Sequence, residues 1–215
     1  MKIEVFSRIN KEIDFEHEKT LFLKTYALNF CKLDSTIAVT DISEADENLL
    51  SLYNKQGELQ GEVGKMYKSK NPSVRHRLSR GIILCSEKYQ RVLNAFYFFP
   101  YIYSYSYSGD LVRTYQIDDF DVQRVVEKDQ GRTVKYSPPS IQPFHSFGSS
   151  NLVSILEDYF LAQVRDLTNE AEKLDSYLIS FKTGESIYMS SELPLISSAK
   201  DSLLIAIEQK PFAKC

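Results

Sequence analysis

The chain has 215 residues, 43% of them hydrophobic and 26% charged, which is the composition of an ordinary globular domain long enough to bury a core and excludes disordered, collagenous and coiled-coil chains. With 26 basic against 29 acidic residues the formal net charge is −3, so no global field favours nucleic acid or an anionic membrane, and a charged partner has to be met locally. No run of about 18 apolar residues occurs, and Met1-Lys2-Ile3-Glu4-Val5 opens on alternating charge, so neither a spanning helix nor a leader is expected.

In chain order, the first strong signal is Asp34-Ser35-Thr36-Ile37-Ala38-Val39, an aspartate shortly before an alanine inside an apolar run. Tyr53-Asn54-Lys55-Gln56-Gly57-Glu58 follows, a glycine turn after an aromatic, and Leu59-Gln60-Gly61-Glu62-Val63 then reads as a returning strand. Gly64 to Arg80 is polar and reads as a connection. Val92-Leu93-Asn94-Ala95 resembles the first run without its aspartate, and Tyr105-Ser106-Tyr107-Ser108-Gly109-Asp110 repeats the turn ahead of Leu111-Val112-Arg113-Thr114-Tyr115. Asp118 to Pro143 is again a polar connection, with Ser137-Pro138-Pro139-Ser140 as a turn signal.

Between Leu152 and Leu167 the apolar residues fall near helical spacing, which permits an amphipathic helix. Asp158-Tyr159-Phe160-Leu161-Ala162 nevertheless matches the aspartate-to-alanine pattern, and Phe181-Lys182-Thr183-Gly184-Glu185 gives a third glycine turn, so two strands are expected there. Asp201-Ser202-Leu203-Leu204-Ile205-Ala206 closes the series. The recurrences define a period of about 44 to 62 residues, which suits four-stranded antiparallel units arrayed so that each sheet covers its neighbours. The expected fold is all-β, a single β-propeller domain over residues 1–215 with three to four blades.

Leu33-Asp34-Ser35-Thr36-Ile37-Ala38 through Gln56-Gly57-Glu58-Leu59, Pro100-Tyr101-Ile102-Tyr103-Ser104-Tyr105 before Gly109, and the tail from Ser198 to Phe212 carry a family likeness. On these residues the chain resembles the TolB-like six-bladed β-propellers and, more distantly, the NHL-type propellers. The resemblance implies a ring of which this chain covers a part, the C-terminal one if the opening blades are those missing. It also implies export or lipid anchoring, as is general in that family. An incomplete ring leaves sheet faces and strand edges uncovered, so self-association is expected.

The segment from Phe96 to Tyr107 holds eight aromatics in twelve positions, and at a period of two Tyr101, Tyr103, Tyr105 and Tyr107 share one face. Such a ladder fills the space between sheets or, in the functional alternative, offers a stacking platform for a sugar or an extended peptide. Lys65, Lys68, Lys70, Arg75, Arg77 and Arg80 form a run of six positive charges; Lys68, Arg75 and Arg77 are its candidate anion contacts, set against a solvated loop. Asp41, Glu44, Asp46 and Glu47 supply oxygen ligands suited to calcium, although they lack the glycine and distal glutamate of a helix-loop-helix site, and an exposed acidic turn is the simpler reading.

Cys31, Cys85 and Cys215 are too few and too scattered for a disulfide framework, have no partner at metal-ligand spacing and are read as buried thiols, and His17, His76 and His145 lack the second histidine of a helical zinc site. His145, among aromatics, reads as a core imidazole. No nucleophile-and-base motif or phosphate loop occurs. The functional expectation is therefore a non-catalytic module that presents loops to a protein, peptide or glycan, without nucleic acid. The alternative, by fold analogy, is an NHL-like lyase or hydrolase with a metal or carboxylates at the mouth of a central channel.

Overall fold

The computed structural model describes residues 2–8, 15–23, 29–40, 48–68, 72–97, 101–116, 129–130, 133–134, 152–166, 173–200 and 203–207. A hairpin of β1 (Lys2–Arg8) and β2 (Phe15–Phe22) leads into a first four-stranded sheet. That sheet is β3 (Phe30–Leu33), β4 (Thr36–Thr40), β5 (Asn48–Asn54) and β6 (Leu59–Lys65). After the helix α1 (Pro72–Ser79), a second sheet follows: β7 (Gly81–Ser86), β8 (Arg91–Phe96), β9 (Tyr101–Ser106) and β10 (Leu111–Gln116). A two-residue pair, β11 (Asp129–Gln130) and β12 (Thr133–Val134), precedes the third sheet. The third is β13 (Leu152–Ile155), β14 (Tyr159–Asp166), β15 (Lys173–Ser180) and β16 (Ser186–Ser190), and a hairpin of β17 (Leu195–Lys200) and β18 (Leu203–Ile207) comes last. All three sheets are antiparallel with their strands in chain order.

The three glycine turns join the third and fourth strands of the three sheets, and Gly57, Gly109 and Gly184 have φ of 83°, 96° and 81°, where an L side chain is strained. In the first two, Asn54 and Ser106 open the turn and their side-chain oxygens accept from the returning backbone at Glu58 and Asp110. Ser180 opens the third, which runs one residue longer, from Ser180 to Glu185. Phe181 therefore sits inside its turn, and Ile179 holds the strand position that Tyr53 and Tyr105 hold in the others.

Between Leu152 and Asp166 the chain is two strands, as the repeat demanded, and the helical spacing there comes from β14 being covered on both faces. The polar stretch after Gly64, by contrast, contains α1, whose Leu78 is buried and whose Ser79 hydroxyl accepts from the Tyr67 amide at 2.8 Å and donates to the Arg75 carbonyl at 2.7 Å. Its eight residues hold only Val74 and Leu78 as large apolar side chains, too few to make a periodic stripe.

The sheets pack face to face in chain order, each pair separated by one apolar layer. Ile3 and Leu23 meet Val39 and Tyr53 between the first hairpin and the first sheet. Ala38, Leu50 and Leu52 meet Val92, Phe96 and Tyr105 between the first and second sheets. Leu93, Ala95 and Ile102 meet Phe160, Ala162 and Ile179 between the second and third, and Val153 and Leu161 meet Ile196 beyond. Because each second strand has a sheet on both faces and a strand on both edges, β4, β8 and β14 read as nearly continuous apolar runs. The first strands lie side by side, β3 against β7, β7 against β13 and β13 against β17.

The β3–β7 contact corrects the expectation of three free thiols: Cys31 and Cys85 are disulfide-bonded, with Cα atoms 5.6 Å apart. The same two strands are tied at either side, where the Asn29 side-chain amide donates to the Gly81 carbonyl at 3.0 Å and the Asp34 amide to the Glu87 carboxylate at 3.1 Å. These links span 52, 54 and 53 residues, so β3 and β7 run parallel, one repeat apart.

Candidate functional site

The tyrosine ladder faces the layer between the first and second sheets. Tyr105 is buried there, while Tyr101, Tyr103 and Tyr107 pack against the same layer half-buried. Tyr103 meets Phe96 edge-on at 5.0 Å between ring centroids and Tyr105 edge-on at 6.2 Å, and stacks on Tyr101 at 6.5 Å. Gly64 has φ of +70°, and a Cβ there would lie 2.8 Å from the Tyr105 hydroxyl, so the bare glycine is what admits that ring. Burial holds the Tyr105 phenol well above its ordinary pKa and pushes that of Tyr107 up to about 12. Tyr107 lies in the glycine turn, beyond β9, and its hydroxyl donates to the Ser86 carbonyl at 3.3 Å.

The basic run is divided by α1. Lys68 is exposed ahead of the helix, Arg75 is half-buried on it, and Arg77 lies on the same helix. Asp41, Glu44, Asp46 and Glu47, like His145 and Cys215, lie outside the described residues. Among the described residues no three His, Cys, Asp or Glu side chains stand together as a metal site. No helix of the described residues is long and apolar enough to cross a membrane.

Two polar features fix the sheets against each other. Lys88, in the β7–β8 turn, bridges Glu157 at 2.9 Å and Asp158 at 2.8 Å in the β13–β14 turn, and the Tyr89 hydroxyl donates to Asp158 while its ring stacks on Phe181 at 5.2 Å. The bond to Asp158 raises the Lys88 pKa, and the bonds from Lys88 and Tyr89 lower that of Asp158. Further along, the buried Gln163 side chain accepts from the Ile196 amide at 2.7 Å and donates to the Pro194 carbonyl at 2.9 Å, fixing the entry to β17.

Sequence reasoning missed a groove of about 400 Å³ where the β1–β2 hairpin meets β3 and β4. Buried Leu21 and half-buried Ile3 and Ile37 give it an apolar base, with Phe30, 58% exposed, beside them. Lys19, Lys32 and Lys55 line it together with Glu18 and Asp34, so charges of both signs surround the apolar base. The Glu4 carboxylate accepts from the Thr20 hydroxyl at 2.5 Å and stands 2.8 Å from His17 Nε2, which is 3.3 Å from the same hydroxyl. A cavity of this size with an apolar base and a few polar groups has the character of a ligand groove. Its residues come from four segments, of which only Asp34 to Ile37 and Lys55 stood in a recurring motif.

No known family model matches the sequence, and no curated protein is significantly similar to it.

Proposed function

We propose that the three sheets are consecutive blades of a β-propeller of the TolB-like pattern and that the chain is a non-catalytic binding module. In this reading it holds an extended peptide segment of a partner protein in the groove between the β1–β2 hairpin and the first sheet. The observation that carries the proposal is the groove itself: an apolar base at Ile3, Leu21 and Ile37 under lysines and carboxylates contributed by different strands. An aliphatic or aromatic anchor fits the base, an acidic neighbour faces Lys32 and Lys55, and a basic one faces Glu18 and Asp34. A peptide supplies both charge signs around one apolar side chain, which a glycan does not. The propeller reading rests on the parallel first strands and on the apolar layers between successive sheets.

The test is selection from a displayed random peptide library, followed by calorimetric titration of the winning peptide. Lys32→Glu and Phe30→Ala, both at exposed positions, are expected to weaken binding about tenfold, the equivalent of about 1.4 kcal/mol, with unchanged melting. A library that yields no binder, or a binder indifferent to both substitutions, overturns the proposal.

A further inference from the structure

The two hairpins at the ends of the row occupy complementary halves of a four-stranded unit. In each complete sheet the glycine turn lies against the fourth strand of the preceding one: a Cβ at Gly109 would be 3.6 Å from Val63 Cγ2 on β6, and one at Gly184 would be 2.6 Å from Arg113 Nη1 on β10. Gly57 of the first sheet makes the same approach to β2, at 3.6 Å from the Phe22 carbonyl and 3.7 Å from Leu21 Cβ. β2 therefore stands where a fourth strand stands, and β1 where a third does. Pairing agrees, because every third-to-fourth pair carries a register shift and β1–β2 carries one between Val5 and Phe6.

At the other end β17 lies beside β13 as β13 lies beside β7, the place of a first strand. β18 then corresponds to β4, β8 and β14. The β17–β18 pair has a register shift of its own, so its place rests on the neighbour of β17. In the complete sheets the core residues of the second strand, Val39, Leu93 and Phe160 among them, are fully buried. On β18, Leu204 and Ile205 are 49% and 55% exposed, and among the described residues β17 is the only strand paired with it. β1 likewise pairs only with β2 there.

From this we infer that the open edge of β18 takes β1 of a second copy of this chain, so that β17 and β18 of one copy and β1 and β2 of the next complete a unit. Among the described residues the two hairpins stand in separate sheets, β1–β2 against the first sheet and β17–β18 against the third, so each lacks the half-unit that a second copy holds. Each copy offers one donor hairpin and one acceptor edge, so the contact is head to tail and either closes into a ring or extends. An apolar, unpaired strand edge is a template that a matching strand satisfies. The inference is independent of the peptide-binding proposal, since it uses the strand edges and not the groove.

Light scattering on the full chain during size exclusion is expected to give at least twice the 24.8 kDa chain mass. The double substitution Leu204→Lys and Ile205→Lys is expected to return it to one chain mass with the strand circular dichroism retained. A synthetic peptide of residues 1–23, added to the unsubstituted protein, is expected to bind and dissociate the assembly, and this arm holds even where the lysine variant fails to fold. A chain that is monomeric at every concentration overturns the inference. So does an assembly that survives both the lysines and the peptide.

Discussion

Removing the bond between Cys31 and Cys85 tests how the first two sheets are held. The bond closes a loop spanning 54 residues, and the loss of unfolded-chain entropy on closing it corresponds to about 4 kcal/mol at 25 °C. At about 2.1 cal/mol/K of unfolding entropy per residue, a chain of 215 residues converts that into a drop of about 9 °C in melting temperature. The assay is thermal unfolding followed by circular dichroism, with and without reductant, on the unsubstituted protein and on Cys31→Ala/Cys85→Ala. Reductant is expected to lower the melting of the first and leave the second unmoved, and thiol titration of the denatured, unreduced protein is expected to find two fewer thiols than the reduced one. A melting temperature indifferent to reductant, or a full complement of thiols, refutes the reasoning.

Other substitutions probe the remaining joints. Phe160→Ala empties the layer between the second and third sheets, where the ring meets Tyr115 at 5.3 Å and Phe181 at 4.8 Å, and is expected to cost about 3–5 kcal/mol in denaturant unfolding. Gly64→Ala puts a Cβ into the Tyr105 ring at a positive φ and is expected to destabilise by about 1–3 kcal/mol, read the same way. Asn94 is fully buried and both polar atoms of its side chain lack a partner among the described residues, so Asn94→Leu is expected to raise stability by about 1–3 kcal/mol.

The Lys88–Asp158 bridge gives a pH signature. Asp158 titrates below its ordinary 3.8, so its contribution is complete above that pH and is lost as pH falls through the lower folded value. Lys88 titrates above its ordinary 10.5, so its contribution is complete below that pH and is lost on further alkalinisation. The melting difference between the protein and Lys88→Ala is therefore expected at neutral pH, shrinking in acid and in high salt.

The glycine corners were legible because each needs a backbone conformation that one residue supplies without strain, and Gly57, Gly109 and Gly184 all adopt it. The same repeat separated strands from helix between Leu152 and Asp166, where periodicity alone pointed the other way. Three features escaped. Helix α1 announces itself only through Pro72 at its first position, since a helix this short needs little apolar face. The disulfide escaped because three cysteines scattered along the chain suggest no disulfide framework, whereas the telling fact is that Cys31 and Cys85 lie one repeat apart on strands that become neighbours. The groove was hidden for a related reason: Ile3, Leu21, Phe30 and Lys55 are distant in sequence and meet only once the hairpin is seated on the first sheet.

The most direct measurement of the stacking of the sheets is a nuclear Overhauser spectrum of the folded protein. Cross-peaks are predicted between the Tyr89 and Phe181 rings, 5.2 Å apart, between the Tyr115 and Phe160 rings, 5.3 Å apart, and between Gly109 and the Val63 methyls. Strand-pairing cross-peaks within each sheet without these contacts between sheets would contradict the account.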